Sequence, residues 1–134
     1  PAVTDQELVK LAFDMHRFSY VPYSRFPVGA ALLCGDGRVF TGCNVENAAY
    51  GSTICAERTA LLKAVSEGCR ENWTAIAIAG RGEDYCWPCG ACRQMLYEFA
   101  PGLRVLAARG DGSWKEVPLA QLLPFGFGPH SLEQ

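Results

Sequence analysis

Cys55-Ala56-Glu57 and Pro88-Cys89-Gly90-Ala91-Cys92 hold the residues of this chain best suited to chemistry: three soft sulfur donors and one carboxylate. Zinc accepts thiolate sulfur readily in a tetrahedral shell, and a catalytic site differs from a structural one by having three protein ligands and a fourth position open to water. Cys55, Cys89 and Cys92 meet that count. Glu57, two residues after the first ligand, can sit beside the metal without binding it, where water at the open position needs a proton shuttle. The combination points to metal-assisted hydrolysis.

A lone Cys-x-x-Cys pair is weak evidence, and Cys86 creates a second, overlapping pair with Cys89. Pro88 directly before Cys89 is a usual entry to a helix, whereas Cys86 precedes Trp87-Pro88 in a stretch unsuited to one, so Cys89 is paired with Cys92. The competing arrangement is a closed, structural four-thiolate site of Cys55, Cys86, Cys89 and Cys92. Three thiolates on a dication leave a net negative centre that would make water there less acidic. Arg58, one helical turn beyond Cys55, is placed to offset that charge by hydrogen-bonding the sulfurs, and the N-termini of two helices would add partial positive charge. The remaining cysteines, Cys34, Cys43, Cys69 and Cys86, are read as small apolar fillers or free thiols, because seven cysteines in an intracellular-looking chain favour metal or thiol chemistry over a disulfide framework.

The elements that carry these residues follow from periodicity and punctuation. Thr4-Asp5-Gln6-Glu7 reads as a capping box, and Leu8, Leu11, Ala12 and Met15 recur behind it as one helical stripe. His16 falls in the same helix as a structural or exposed residue, and Pro22 and Pro27 end regular structure. Val28–Cys34 and Arg38–Cys43 are β-prone runs around Gly35-Asp36-Gly37, which predicts an antiparallel hairpin. The polar loop Asn44-Val45-Glu46-Asn47 then leads toward the first ligand. Cys55–Glu67 has a helical apolar period closed by Gly68, so Cys55 lies at a helix N-terminus, where an anionic thiolate is favoured. Thr74–Gly80, apolar throughout, reads as a central strand covered on both faces. Gly90–Phe99 reads as a third helix with Met95, Leu96 and Phe99 inward, followed by strands at Leu103–Ala108 and Trp114–Val117 and a short helix at Leu119–Leu123. No internal repeat is present.

At 134 residues the chain is expected to form one catalytic domain over 1–134. A net charge of -2 with no basic stripe argues against nucleic acid or an anionic membrane as partner and favours a small molecule. The longest apolar run, Val28–Cys34, is too short to span a bilayer, and the chain opens without a basic-then-apolar signal pattern; a cytoplasmic protein is the expectation.

With these residues in view, the chain resembles the zinc-dependent cytidine deaminases. Cys55-Ala56-Glu57-Arg58-Thr59-Ala60 and Pro88-Cys89-Gly90-Ala91-Cys92-Arg93-Gln94 look like that family's two signatures, and the likeness extends through Pro22–Ala31, Gly42–Ala48, Leu122-Leu123-Pro124 and Phe127-Gly128-Pro129. Cysteine as the first ligand, with the short chain, is similar to the small homotetrameric branch. The resemblance implies one zinc per chain and Glu57 as the catalytic proton carrier. It also implies that Asn44 and Glu46 bind a ribose 3′-hydroxyl, that the ring stacks near Phe26, and that the Ala56 backbone helps hold the pyrimidine. Phe127 would reach into a neighbouring subunit's site, with Tyr23, Ala48 and Tyr50 along the shared edge. Cys86-Trp87 departs from the family's usual aliphatic and small polar pair before Pro-Cys, close to where ammonia leaves.

The expected fold is α/β, a three-layer α/β/α sandwich with a mixed five-stranded sheet in the order 2-1-3-4-5, as the resemblance implies; spacing by itself supports only α/β. The expected activity is hydrolytic deamination of cytidine and 2′-deoxycytidine to the uridine products with release of ammonia, a step of pyrimidine salvage. A related nucleoside-antibiotic deaminase would keep the zinc motifs without needing both Asn44 and Glu46. A polynucleotide-editing enzyme would need a basic channel, which the composition does not show. A structural zinc module would have no use for Glu57.

Overall fold

The computed structural model describes residues 3–133. Its regular elements run α1 (Asp5–Asp14), β1 (Gly29–Cys34), β2 (Val39–Cys43), α2 (Ala56–Ser66), β3 (Trp73–Ala79), α3 (Gly90–Phe99), β4 (Arg104–Ala108), β5 (Trp114–Pro118) and α4 (Leu119–Leu122). The size alternation Ala75-Ile76-Ala77-Ile78-Ala79 in β3 decides how the layers stack, because neighbouring side chains of a strand point to opposite faces. The alanine face takes α1: Leu8, Val9 and Ala12 pack there with Ala31, Ala75, Ala77, Ala79, Leu106 and Ala108. The isoleucine face meets α2 and α3 in a larger core that includes Leu32, Phe40, Leu61, Leu96, Leu103 and Val105.

The five-stranded sheet has the expected order β2-β1-β3-β4-β5. β1 pairs antiparallel with both β2 and β3, β3 and β4 run parallel, and β4 and β5 are antiparallel. The parallel pair requires a crossover, and that crossover is α3, which carries the second cysteine pair. The outer strand β5 presents Lys115 and Glu116 to solvent, charges that discourage further pairing at a sheet edge.

The first helix differs from its sequence reading. Its capping box forms, with Glu7 N–H donating to Thr4 Oγ1 at 3.1 Å and Thr4 N–H to Glu7 Oε1 at 3.0 Å. The α-helix stops at Asp14, however, and Met15–Phe18 continue as a tighter 3-10 turn, so Val9 rather than Met15 completes the buried stripe. The tighter turn carries His16 to the end of β3, where Nε2 donates to the Ala79 carbonyl at 2.7 Å; the histidine is structural.

The reading of Cys34 and Cys69 as isolated thiols is corrected. They are joined by a disulfide across 35 residues of sequence, from the end of β1 to the exit of α2. Gly68, at a left-handed φ of 90°, turns the chain back over the sheet there and brings Cys69 to Cys34, a contact that linear spacing does not reveal.

Gly42 sets the approach of α2 to β2. A Cβ at this position would lie 2.4 Å from the Ala56 carbonyl oxygen and 2.6 Å from Ala60 N, both backbone atoms that cannot rotate away. Gly42→Ala is therefore expected to destabilise the protein by ~1–3 kcal/mol or more, read as a lower urea midpoint at unchanged m-value. A midpoint equal to wild type would show that α2 is free to retreat.

Candidate active site

The two sulfur-bearing segments converge because both open helices. Cys55 is the N-cap of α2 and Cys89 the N-cap of α3, each with extended backbone, and Cys92 follows in the first turn of α3, fully buried. The three sulfurs all lie within 4.8 Å of one another, with Cys55 to Cys89 at 3.7 Å and Cys89 to Cys92 at 3.3 Å. Zinc–sulfur bonds of ~2.3 Å at the tetrahedral angle require sulfurs ~3.8 Å apart. The donor set therefore fits one zinc ion with little adjustment. Among the described residues this is the one group of three or more potential ligands, and Cys86 lies outside it.

Charge is balanced locally. Arg58 Nη2 donates to Cys55 Sγ at 3.4 Å and to the Thr53 carbonyl at 3.2 Å. The Cys55 thiol is shifted strongly downward by the hydrogen bond from Cys92 and then by Arg58 and Cys89, against its burial, while Cys92 as the donor is shifted upward.

Glu57 is 4% exposed. Burial pushes its carboxyl up to about 7, with charge on Cys55 adding to the effect. It shares the wall of a cavity of about 170 Å³ with Val28, Asn44, Ala56, Cys86, Trp87 and two residues of the sulfur cluster, Cys55 and Cys89. The departing pair Cys86-Trp87 is thus part of this wall. Cys86 is pushed up to about 12, mainly by burial, which keeps it a neutral thiol. Phe26 lies beside it: a Cβ on Gly80 would sit 3.2 Å from Cys86 Sγ and 3.3 Å from Phe26 Cζ.

A second cavity, of about 340 Å³, is lined by Tyr23, Ser24, Glu46, Tyr50 and Thr53, and Thr53 belongs to both. The Tyr23 and Tyr50 rings meet edge to face with centroids 5.6 Å apart. Glu46 is bound to the facing loop, with Oε1 accepting from the Tyr23 and Ser24 backbone at 3.0 and 3.1 Å and Oε2 accepting from the Ser24 hydroxyl. The Ser24 hydroxyl is the main reason its carboxyl stays below the usual carboxylate range. Asn44 bridges the two sides of Pro27, accepting from Val28 N–H and donating to the Phe26 carbonyl, both at 2.9 Å. Each side chain keeps spare capacity for a ligand: Asn44 one N–H and one lone pair, Glu46 one acceptor position.

Ala48 is exposed and lines neither cavity, nor does Phe127, a residue 58% exposed whose carbonyl is tied to Gln94 Nε2 at 2.8 Å. Ser24, Val28 and Thr53 belong to the cavities without having been singled out in the sequence. A serine, a valine and a threonine in a loop carry no ligand-like spacing that would have marked them.

Comparison with known proteins agrees with this geometry. Residues 2–108 match the family described as the cytidine and deoxycytidylate deaminase zinc-binding region. A cytidine deaminase of Sporosarcina psychrophila is 50% identical over 85% of this chain and 84% of its own length. One of Halalkalibacterium halodurans is 49% identical over 91% and 92%. The crystal structure of cytidine deaminase from Burkholderia pseudomallei superposes with a TM-score of 0.89 at 44% identity, covering 92% of this chain and 99% of that one.

The exclusion of Cys86 from the sulfur cluster generates a direct test. Cys86→Ser is expected to retain about one zinc per chain by metal analysis, whereas Cys89→Ser loses it. Loss of zinc from Cys86→Ser would restore the closed four-thiolate arrangement.

Proposed function

Because this chain belongs to the zinc-dependent cytidine deaminase family and is a hydrolase of that type, we propose that it deaminates cytidine and 2′-deoxycytidine to the uridine products and ammonia, serving pyrimidine salvage. One observation carries the assignment of roles: a buried carboxylate, Glu57, lines the same cavity as a three-thiolate cluster. A purely structural zinc site has no use for that carboxylate.

Cys55, Cys89 and Cys92 would hold the zinc, which would supply a bound water with its pKa lowered toward ~7. Glu57 carries the protons. Its carboxylate accepts one from the attacking water and delivers it to the ring nitrogen, which makes the amine-bearing carbon electrophilic. As water oxygen adds to that carbon, Glu57 takes the second proton and passes it to the amine; the carbon–nitrogen bond breaks, ammonia leaves and the keto product remains. A carboxyl displaced toward 7 is matched to both accepting and donating near neutral pH. Arg58 holds the Cys55 sulfur and offsets its charge.

The smaller cavity suits the base, with the Ala56 backbone and Phe26 orienting it, and the adjoining one suits the sugar. Asn44 on the wall of the smaller cavity and Glu46 in the adjoining one bind the ribose 3′-hydroxyl from either side, a contact common to both sugars. The exposed ring of Phe127, beside a fully exposed Phe125 held at a left-handed φ of 56°, supports a homotetramer in which Phe127 enters a neighbour's site, with Tyr23, Ala48 and Tyr50 at the shared edge. The domain is taken as residues 1–134 and the compartment as the cytoplasm. Among the described residues no helix is long and apolar enough to cross a membrane, and the Cys34–Cys69 bridge is buried away from attacking thiolates.

Glu57→Gln keeps size and packing but cannot relay protons, so a folded, zinc-loaded protein with turnover reduced at least ~10²-fold is expected in an ultraviolet assay of cytidine. Near-normal turnover would remove Glu57 as proton carrier, and loss of zinc would make it a ligand. Phe127→Ala is expected to weaken nucleoside binding by ~1–3 kcal/mol with zinc retained, the worth of one base–aromatic stack. A fully active monomer by light scattering would sink the shared-site reading.

A further inference from the structure

We propose that Ser24 is a positioning residue of the nucleoside site: its hydroxyl aims the Glu46 carboxylate at the sugar and, through the same oxygen, holds the backbone that presents Phe26. The inference rests on the reading that Glu46 binds the ribose 3′-hydroxyl.

The hydrogen bonds form a directed chain. The N–H of Phe26 donates to Ser24 Oγ at 3.0 Å, and the Ser24 hydroxyl donates onward to Glu46 Oε2. The first of these is a side-chain turn spanning Arg25, which has a left-handed φ of 57°, a conformation uncommon for a residue with a Cβ. Arg25 N–H is itself tied to the Val21 carbonyl at 2.9 Å, so the loop is held on both sides of the strained residue.

Counting acceptors shows what Ser24 decides. A carboxylate has about four lone-pair positions. Two on Glu46 Oε1 are filled by the Tyr23 and Ser24 backbone and one on Oε2 by the Ser24 hydroxyl. The position left for a ligand is on Oε2, the oxygen that Ser24 holds. Ser24, Glu46, Tyr23, Tyr50 and Thr53 line one cavity, so a carboxylate still anchored through Oε1 but released at Oε2 would swing that oxygen and change what the sugar meets.

Cytidine and 3′-deoxycytidine serve as probes, with wild type, Ser24→Ala, Ser24→Thr and Glu46→Gln compared by kcat, KM and zinc content. Ser24→Ala is expected to raise KM for cytidine about tenfold, with kcat within about twofold, as for loss of a hydrogen bond to a charged group. KM for 3′-deoxycytidine should rise less, since for it only the Phe26 support is loosened, so the preference for the 3′-hydroxyl falls toward that of Glu46→Gln, and Ser24→Thr restores it. A merely structural serine would not distinguish the two nucleosides. Preference retained by Ser24→Ala but lost in Glu46→Gln overturns the role of Ser24 and leaves the reading of Glu46 standing. A wild type indifferent to the 3′-hydroxyl, or preference retained by Glu46→Gln, overturns that reading and the inference with it. If Ser24→Ala does not fold with zinc, Ser24→Cys, a weaker donor, replaces it, and wild-type preference in that variant overturns the proposal.

Discussion

Three cysteine sulfurs brought within 4.8 Å of one another would concentrate negative charge as thiolate ligands, and the surrounding structure answers that constraint. Two helices turn their N-termini toward the cluster, Arg58 donates to the Cys55 sulfur, and Glu57 stays outside the sulfur group in a buried position where its proton is held more tightly than in water. Remove the packing of α2 on β2 and β1 and these compensations separate from the sulfurs they serve.

That packing depends on side-chain size more than on polarity. Ala75, Ala77 and Ala79 leave room for α1 on one face of β3, while Ile76 and Ile78 fill the space under α2 and α3 on the other. The same economy appears at Gly42, where absence of a Cβ lets the α2 backbone lie against β2 and places Cys55 opposite α3. The chemistry sits at helix starts that the hydrophobic layers hold still, which is how a small domain keeps donors in register without devoting core residues to polar contacts.

The Asn44 and Glu46 side of the site is organised differently. Asn44 and Glu46 already bind the 23–28 loop, so their orientation is settled before a ligand arrives and little ordering remains for binding. Neither acts as a free polar group waiting in solvent.

Much of the chemistry was legible in residue order. The Cys55–Glu57 spacing, the Cys89–Cys92 pair and the helical periods behind them are local facts, and local backbone geometry sets these side chains at helix N-termini. The hairpin, the apolar central strand and the final strands were equally legible, since periodicity and turn residues act over a few positions. Tertiary structure alone decided the rest. The pairing of Cys34 with Cys69 and the tightening of α1 after Asp14 each depend on where distant segments come to rest. So does the link from Ser24 to Glu46, across 22 residues, because a hydroxyl becomes a positioning group only when folding sets a carboxylate within its reach.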